Sequence, residues 1–411
     1  MNFERRLPPI WLMGLSNATL GFGNGITLFL MPQLMAEAQV PEAKIATVTA
    51  VALSANFWFV LFGPILDVRF SRRWYATFFA ALSGVAATLA VLSVHRLIVL
   101  QIATVVCMAA APLSSSALGG WLSNITPHEQ KNPLSKWINI ALISGSGVII
   151  AVGGELVHGL PLFMAAVVMG AIVVMPAAVF PFMPAPGPDR RLAAESFLQF
   201  NREVVSLLGR REVVIVLLLF LSPCSSFVLP NLLGGLGADF HASARVVSLA
   251  GGAGAFVPGL IGCFLFPVIA RRLRLRSFYF ANGILGCLFT LSLVVLPHTT
   301  TTFALAVFGE FLFQAVAFSI QIGIVFDAIG PENPLAATTF SFLTAATNVP
   351  VTYITLIDGH AYSIGGITAL LFTDAAIGIL TCSIAFILLA KFDSRVTREK
   401  RLSIVLTQEE G

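Results

Sequence analysis

Leu61-Phe62-Gly63-Pro64-Ile65-Leu66-Asp67-Val68-Arg69-Phe70-Ser71-Arg72-Arg73 closes one long apolar run, and Leu265-Phe266-Pro267-Val268-Ile269-Ala270-Arg271-Arg272-Leu273-Arg274-Leu275-Arg276 closes another. In both, a proline near the end of the run leads into a strongly basic loop. A second echo lies at a similar offset of about 200 residues: Ile125-Thr126-Pro127 leads to Asn132-Pro133-Leu134, and Ile329-Gly330-Pro331 leads to Asn333-Pro334-Leu335. Two halves with shared loop signatures are the mark of a membrane protein built from structural repeats, with its binding site between them near the bilayer midplane.

Outward from that stretch, apolar runs lie at 9–31, 46–66, 74–94, 97–122, 137–157, 161–183, 213–235, 246–269, 277–297, 302–326, 337–357 and 365–390. Each approaches the roughly 20 residues that a helix needs to cross the hydrocarbon core. The runs are continuous rather than alternating, which excludes a membrane β-barrel. The expected fold is therefore all-α and polytopic, with twelve transmembrane helices in two six-helix repeats. Residues 1–183 form the first bundle, 184–212 a linker, 213–390 the second bundle and 391–411 a tail. With both termini in the cytoplasm, 21 of the 24 Lys and Arg fall on that side, and Lys44, Arg96 and Arg245 do not. Positive residues resist translocation, so this asymmetry orients the chain. Within the linker, Pro184-Ala185-Pro186-Gly187-Pro188 breaks the sixth run, and Leu192, Phe197, Phe200, Val204 and Leu208 alternate with charges as in a helix lying on the membrane face.

Composition agrees. Hydrophobic residues make up 57% and charged residues 11%, with a mean hydropathy of +0.90, so lipid is the solvent for most of the chain. The net charge of +4 gives no support to nucleic-acid binding. The first run is too long for a signal core and lacks a small-residue cleavage site, so it is expected to stay as a span. Cys107, Cys224, Cys263, Cys287 and Cys382 all lie inside apolar runs without Cys-x-x-Cys spacing, and the six histidines fall in or beside loops. Neither pattern suggests a metal or haem site. No phosphate-binding glycine loop occurs, so neither a nucleotide nor any other cofactor is expected.

Ionisable residues inside a bilayer are costly and usually functional. Glu310 lies about 10 Å into the tenth run, and Gln314 and Gln321 share its helical face. That stripe makes Glu310 the first candidate for proton coupling or substrate contact. Asp374 sits near mid-depth of the twelfth run, whereas Glu155 and Asp358 fall near the ends of theirs, where interfacial capping is the simpler account. Asn17 and Asn24 repeat on one side of the first run, and Asn56 lies midway along the second. Ser222-Pro223-Cys224-Ser225-Ser226 breaks the seventh, and Thr344, Thr347, Asn348, Pro350 and Tyr353 make the eleventh polar and kinked. Such breaks free backbone groups that must face protein or a water-filled cavity. Together they suggest a polar, mostly uncharged pocket. Asp67, followed by Arg69, Arg72 and Arg73, is placed to pair across the cytoplasmic seam in one state and to part in another. Asp327 ends the tenth run as Asp67 ends the second, and is expected in a matching role.

The stretch Gly63-x-x-x-Asp67 with Arg72-Arg73 resembles the loop signature of the major facilitator superfamily. Gly21-Phe22-Gly23-Asn24-Gly25, Pro64-Ile65-Leu66-Asp67 with Arg72-Arg73-Trp74, Phe308-Gly309-Glu310, Trp121 with Pro127 and Glu129, and Gly153-Gly154 resemble AmpG-type muropeptide permeases and the related acetyl-CoA transporters. Where the muropeptide permeases carry Gln-Asp and a further Asp in the fourth span, this chain has Ser114, Ser115 and Gly119. Its short length looks more like the small siderophore-uptake members of that family. The resemblance implies the major facilitator fold and a monomeric, multi-pass permease of the bacterial inner membrane. It also implies proton-coupled uptake of a bulky polar solute, muropeptide-like or siderophore-like, by alternating access. An embedded enzyme such as an acyltransferase is the competing class, but would need a clustered His/Asp or Ser/His arrangement that the spacing does not offer. An exporter or a non-transporting sensor of the same fold remains the other alternative.

Overall fold

The computed structural model describes residues 7–185, 202, 204–207, 209–251, 253–330 and 333–409, and among them it is helical with no strand. Among the described residues, seven helices are long and apolar enough to cross a membrane: Thr47–Asp67, Arg72–Leu92, Leu97–Ile125, His128–Gly159, Leu162–Phe182, Thr300–Ile329 and Ala336–Leu388. Each of the twelve apolar runs is occupied by helix, although several are interrupted. Most of the expected amphipathic linker lies outside the described residues; of its described part, Leu207 is buried in the core.

The interruptions follow from local chemistry. The first run is split into Ile10–Leu15 and Ala18–Gly25, with Asn17 at the joint (φ −84°, ψ 3°), and continues through a π turn, Ile26–Leu30, into Met31–Glu37. Pro32 has no N–H to give and would clash with a carbonyl one turn back, and the wider π turn relieves both problems. The second run tightens from Glu42–Trp58 into a 3₁₀ helix, Phe59–Asp67, that contains Gly63 and Pro64. The sixth does the same between Leu162–Val174 and Met175–Phe182 at Pro176 and Pro181.

The seventh run is two half-helices, Arg211–Phe220 and Val228–Leu236, around the expected Ser-Pro break. The last helical element, Asn348–Glu409, leaves helical geometry at Gly365 and Gly366, and helix continues through residues 391–409, where a tail was expected. Gly366 holds φ +63° with ψ −156°, a conformation that essentially only glycine adopts.

Packing is densest within residues 10–183 and within residues 211–409. Arg72–Leu92 lies along Leu97–Ile125 and Leu162–Val174, and Ala253–Ala270 and Leu275–Leu293 lie along Thr300–Ile329. Across the seam, Ala336–Ala346 packs on Leu97–Ile125 and Phe59–Asp67, while Lys131–Gly159 packs on Ala253–Ala270 and Thr300–Ile329. Of the three largest apolar clusters among the described residues, one belongs to each part and the third joins them. The third brings Leu66, Trp121 and Leu134 against Phe326, Phe340 and Leu343 at the end that carries the Asp67–Arg73 loop.

Candidate functional site

Two adjoining cavities lie between the two parts. One, of about 260 Å³, is lined by Asn17, Asn24, Asn56, Asn139, Gln321 and Asn348, with Ser115, Ser116, Thr344 and Thr347 and the rings of Phe59, Phe318 and Phe340. The other, of about 600 Å³, shares Asn24, Leu142 and Phe318 with it and adds Ser146, Phe256, Pro230 and Gln314. Among the described residues, no Asp, Glu, Lys, Arg or His lines either cavity.

The amides divide into two groups. Asn139 is held across the seam, its Nδ2 donating to Ala315 O at 2.9 Å and to Ser319 Oγ at 3.0 Å. Gln321 Nε2 donates to Ser225 Oγ and Tyr279 OH, both at 2.9 Å, and Gln314 Nε2 reaches Ser225 O at 3.4 Å. Asn17, Asn24, Asn56 and Asn348 make no side-chain hydrogen bond to any described residue. Their amides are therefore available to whatever fills the cavity. Asn139 and Ser116 were not singled out in the sequence, and Ser115 was noted only as a replacement for a permease acid; the one available signal for Asn139 was an isolated amide in the middle of an apolar helix.

Glu310 lines neither cavity. It is fully buried, and its Oε2 accepts the Leu229 N–H at 2.7 Å while Oε1 accepts the Thr290 hydroxyl at 2.7 Å. Leu229 lies in the first turn of Val228–Leu236, so Glu310 supplies from another helix the anionic cap that this half-helix lacks in its own sequence. Its face-mates Gln314 and Gln321 serve the same break at Ser225. Tyr353 serves it as well, donating from OH to the exposed Leu221 carbonyl at 2.8 Å. The stripe of Glu310, Gln314 and Gln321 thus faces the broken seventh run, and only its two amides reach the cavities. Asp374 is buried away from both cavities.

At the closed end Asp67 and Arg72 are 1% and 2% exposed. Arg72 Nε donates to Asp67 Oδ1 at 2.7 Å, and Arg72 Nη2 donates across the seam to Asn333 O at 3.2 Å and Pro334 O at 2.7 Å. Asp67 Oδ2 accepts Thr338 N–H and Thr338 Oγ1, both at 2.7 Å, and Oδ1 accepts Ala337 N–H at 3.3 Å. These are the second and third residues of Ala336–Ala346, so Asp67 caps a helix of the opposite part. Asn124 Nδ2 adds a bond to Asn333 O at 3.4 Å, and Lys131 Nζ donates to Phe326 O at 2.9 Å. At Gly120 any side chain would collide with the Ala336–Ala337 backbone.

Arg69 and Arg73 lie outside this clamp. Arg69 adopts φ +67° with its guanidinium over the Phe70 ring at 5.7 Å, and Arg73 is not brought to the seam by any described contact. Asp327 is exposed and meets His128 Nδ1 at 3.8 Å across the seam.

A multi-helix membrane protein with a polar cavity between two packed parts, shut at one end by a charged clamp, has the architecture of a transporter. The Major Facilitator Superfamily profile matches residues 13–338, and the chain belongs to that family. Its fold is similar to a bacterial homologue of the iron transporter ferroportin in an outward-facing state with soaked iron (TM-score 0.66, 16% identity, 94% of this chain and 100% of that one). It is also similar to the E. coli fucose:proton symporter FucP (0.68, 15%, 92% and 97%). The human organic anion transporter MFSD10 is a third (0.67, 16%, 94% and 100%). Comparison with curated protein sequences returns no match.

Proposed function

We propose that this chain is a secondary active transporter that moves an uncharged polar solute by alternating access, with protons as the coupling ion. The observation that carries this reading is the set of four cavity amides, Asn17, Asn24, Asn56 and Asn348, drawn from both parts of the chain and without hydrogen-bond partners among the described residues. Amides and hydroxyls can exchange hydrogen bonds with a hydroxyl- or amide-rich solute, and the Phe59, Phe318 and Phe340 rings can cover its apolar faces. A charged solute would lose its hydration there without meeting an opposite charge, which costs several kcal/mol per ion. Of the two solute classes suggested by the AmpG-type resemblance, an uncharged sugar-amide body fits better than an anionic siderophore.

Twelve crossings, both termini in the cytoplasm of a bacterial inner membrane, and a monomeric unit complete the proposal. With that orientation the Asp67–Arg72 clamp closes the cytoplasmic end, and the cavity faces outward. Two of the similar structures were captured in outward-facing states, the ferroportin homologue and FucP.

The test is flux into proteoliposomes under an imposed proton gradient. A neutral N-acetylated sugar, a muropeptide and a ferric siderophore would be compared for the native chain and for Asn56→Leu and Asn348→Leu. Gradient-driven uptake of a neutral solute, reduced at least tenfold in both variants, is expected. Flux of the siderophore alone, or flux indifferent to both substitutions, would refute the proposal.

A further inference from the structure

Asp358 and Asp374 belong to neither cavity and to no part of the clamp, yet they are 0% and 2% exposed. Asp358 precedes Gly365 by seven residues and Asp374 follows Gly366 by eight, which puts them about 10 and 12 Å of helix rise from the break. A straight helix would hold them about 24 Å apart. Instead, Asp374 has Asp358 and Glu310 as its electrostatic neighbours, and Glu310 has Asp358. The chain therefore doubles back near the two glycines and brings the carboxylates of its last two runs within electrostatic range of that of the tenth. Neither oxygen of Asp358 meets a hydrogen-bond donor among the described residues, and neither does Asp374 Oδ2.

The other titratable groups facing this cluster are the thiols of Cys287 and Cys382. Among the described residues, no Lys, Arg or His is one of them. Leu229, Phe303, Leu370 and Leu371 form the adjoining apolar packing. Three carboxylates in such a place repel one another, and an unpaired one is far too costly to keep ionised; like-charged pairs in other proteins resolve this by sharing a proton. A metal ion would need a shell of several oxygen ligands, and no group of three or more potential ligands is arranged for one among the described residues.

We propose that Asp358 and Asp374, with Glu310 beside them, form a proton-binding site in the C-terminal part. The proton enters as the O–H of the Asp pair and can pass to Glu310 by breaking that bond and forming one on a Glu310 oxygen. A protonated Glu310 oxygen no longer accepts well, so the Leu229 N–H or the Thr290 hydroxyl is released. The first turn of Val228–Leu236 then loses its anionic cap, and Pro230 of that turn lines the larger cavity. Only this last link, from site to cavity, rests on the transporter reading.

The site can be tested without any solute. Infrared difference spectra of the purified full-length protein, taken between alkaline and acidic buffer, should show a buried carboxyl C=O band that appears on acidification. The band should be lost in Asp358→Asn and lost or displaced in Asp374→Asn, and Asp358→Asn should melt at a higher temperature than the native chain in alkaline buffer. Asp374→Asn keeps the test decisive if Asp358→Asn does not fold. A band unchanged in both variants overturns the proposal. So does a band abolished by sodium or calcium at constant pH, which would mark a metal-cation site. Failure here leaves solute flux through the cavity untouched, and failure of that flux leaves the band in place.

Discussion

Arg72 shows how one side chain can hold two parts of a protein together. It neutralises Asp67 and uses its remaining donors on the Asn333 and Pro334 carbonyls of the opposite part. A buried ion pair stabilises only when its remaining lone pairs and protons find partners, and Asp67 has Ala337 N–H, Thr338 N–H and the Thr338 hydroxyl in addition to the guanidinium. Replacing Arg72 by Met leaves a buried carboxylate without its cation, which in comparable pairs costs about 3–5 kcal/mol. The expected outcome is an opened seam. A reporter introduced as Asn333→Cys should be alkylated at least tenfold faster in Arg72→Met than in the native background, where it is shielded. Equal labelling rates would show that the clamp does not hold this end shut. The pairing of Asp67 with a nearby arginine was legible from spacing alone. Which of three arginines it would take was not, because Arg69, Arg72 and Arg73 are equivalent as charges. Only the fold of the loop decides which guanidinium points inward.

At the scale of elements, the broken helices carry the polar chemistry. The seventh run leaves backbone groups free from Leu221 to Leu229, and they are met from two other runs, by Glu310 and Gln314 of the tenth and Tyr353 of the eleventh. The break itself could be read from Ser222-Pro223, since proline removes a donor and serine competes for the backbone. The identity of the groups that repair it could not, because they lie 81 residues or more further along the chain. The same limit applies to Asp358. It was placed near a helix end, where water could reach it, but the packing around the return at Gly365–Gly366 leaves it fully buried. That return depends on Gly366 at φ +63°. Gly366→Ala should cost about 1–3 kcal/mol, the usual range for a residue held in a disfavoured backbone region. It should lower the thermal midpoint of the purified protein, whereas the same change at Gly359, which is helical with open space around it, should not. Equal midpoints for the two variants would remove the argument from strain.

For the whole molecule, the two parts meet at one end through the clamp and the shared core of Trp121, Phe326 and Phe340, with the cavities above it. If alternating access requires that end to part, a covalent staple there must stop turnover. Asn124→Cys with Asn333→Cys places thiols where an amide now reaches a carbonyl at 3.4 Å. The five native cysteines are all buried, whereas Asn124 is half-exposed, so a small oxidant reaches the new pair from the Asn124 side. Oxidation should abolish solute flux and reduction should restore it. Flux that persists through the cross-link would mean that this seam never opens.

The sequence by itself determined the solvent, the helical class, the repeated plan and the presence of costly polar groups at known depths. Those properties reside in local composition and period, and a chain surrounded by lipid must satisfy its backbone within each helix. The tertiary structure alone decided which of those groups look at one another. It spent the Glu310 carboxylate on a distant half-helix, left four asparagine amides open to the cavity, and gathered Asp358 and Asp374 out of sight of both. The reason is physical: a side chain's position along a helix fixes its depth, but its partners are set by how helices far apart in sequence rotate and pack against each other.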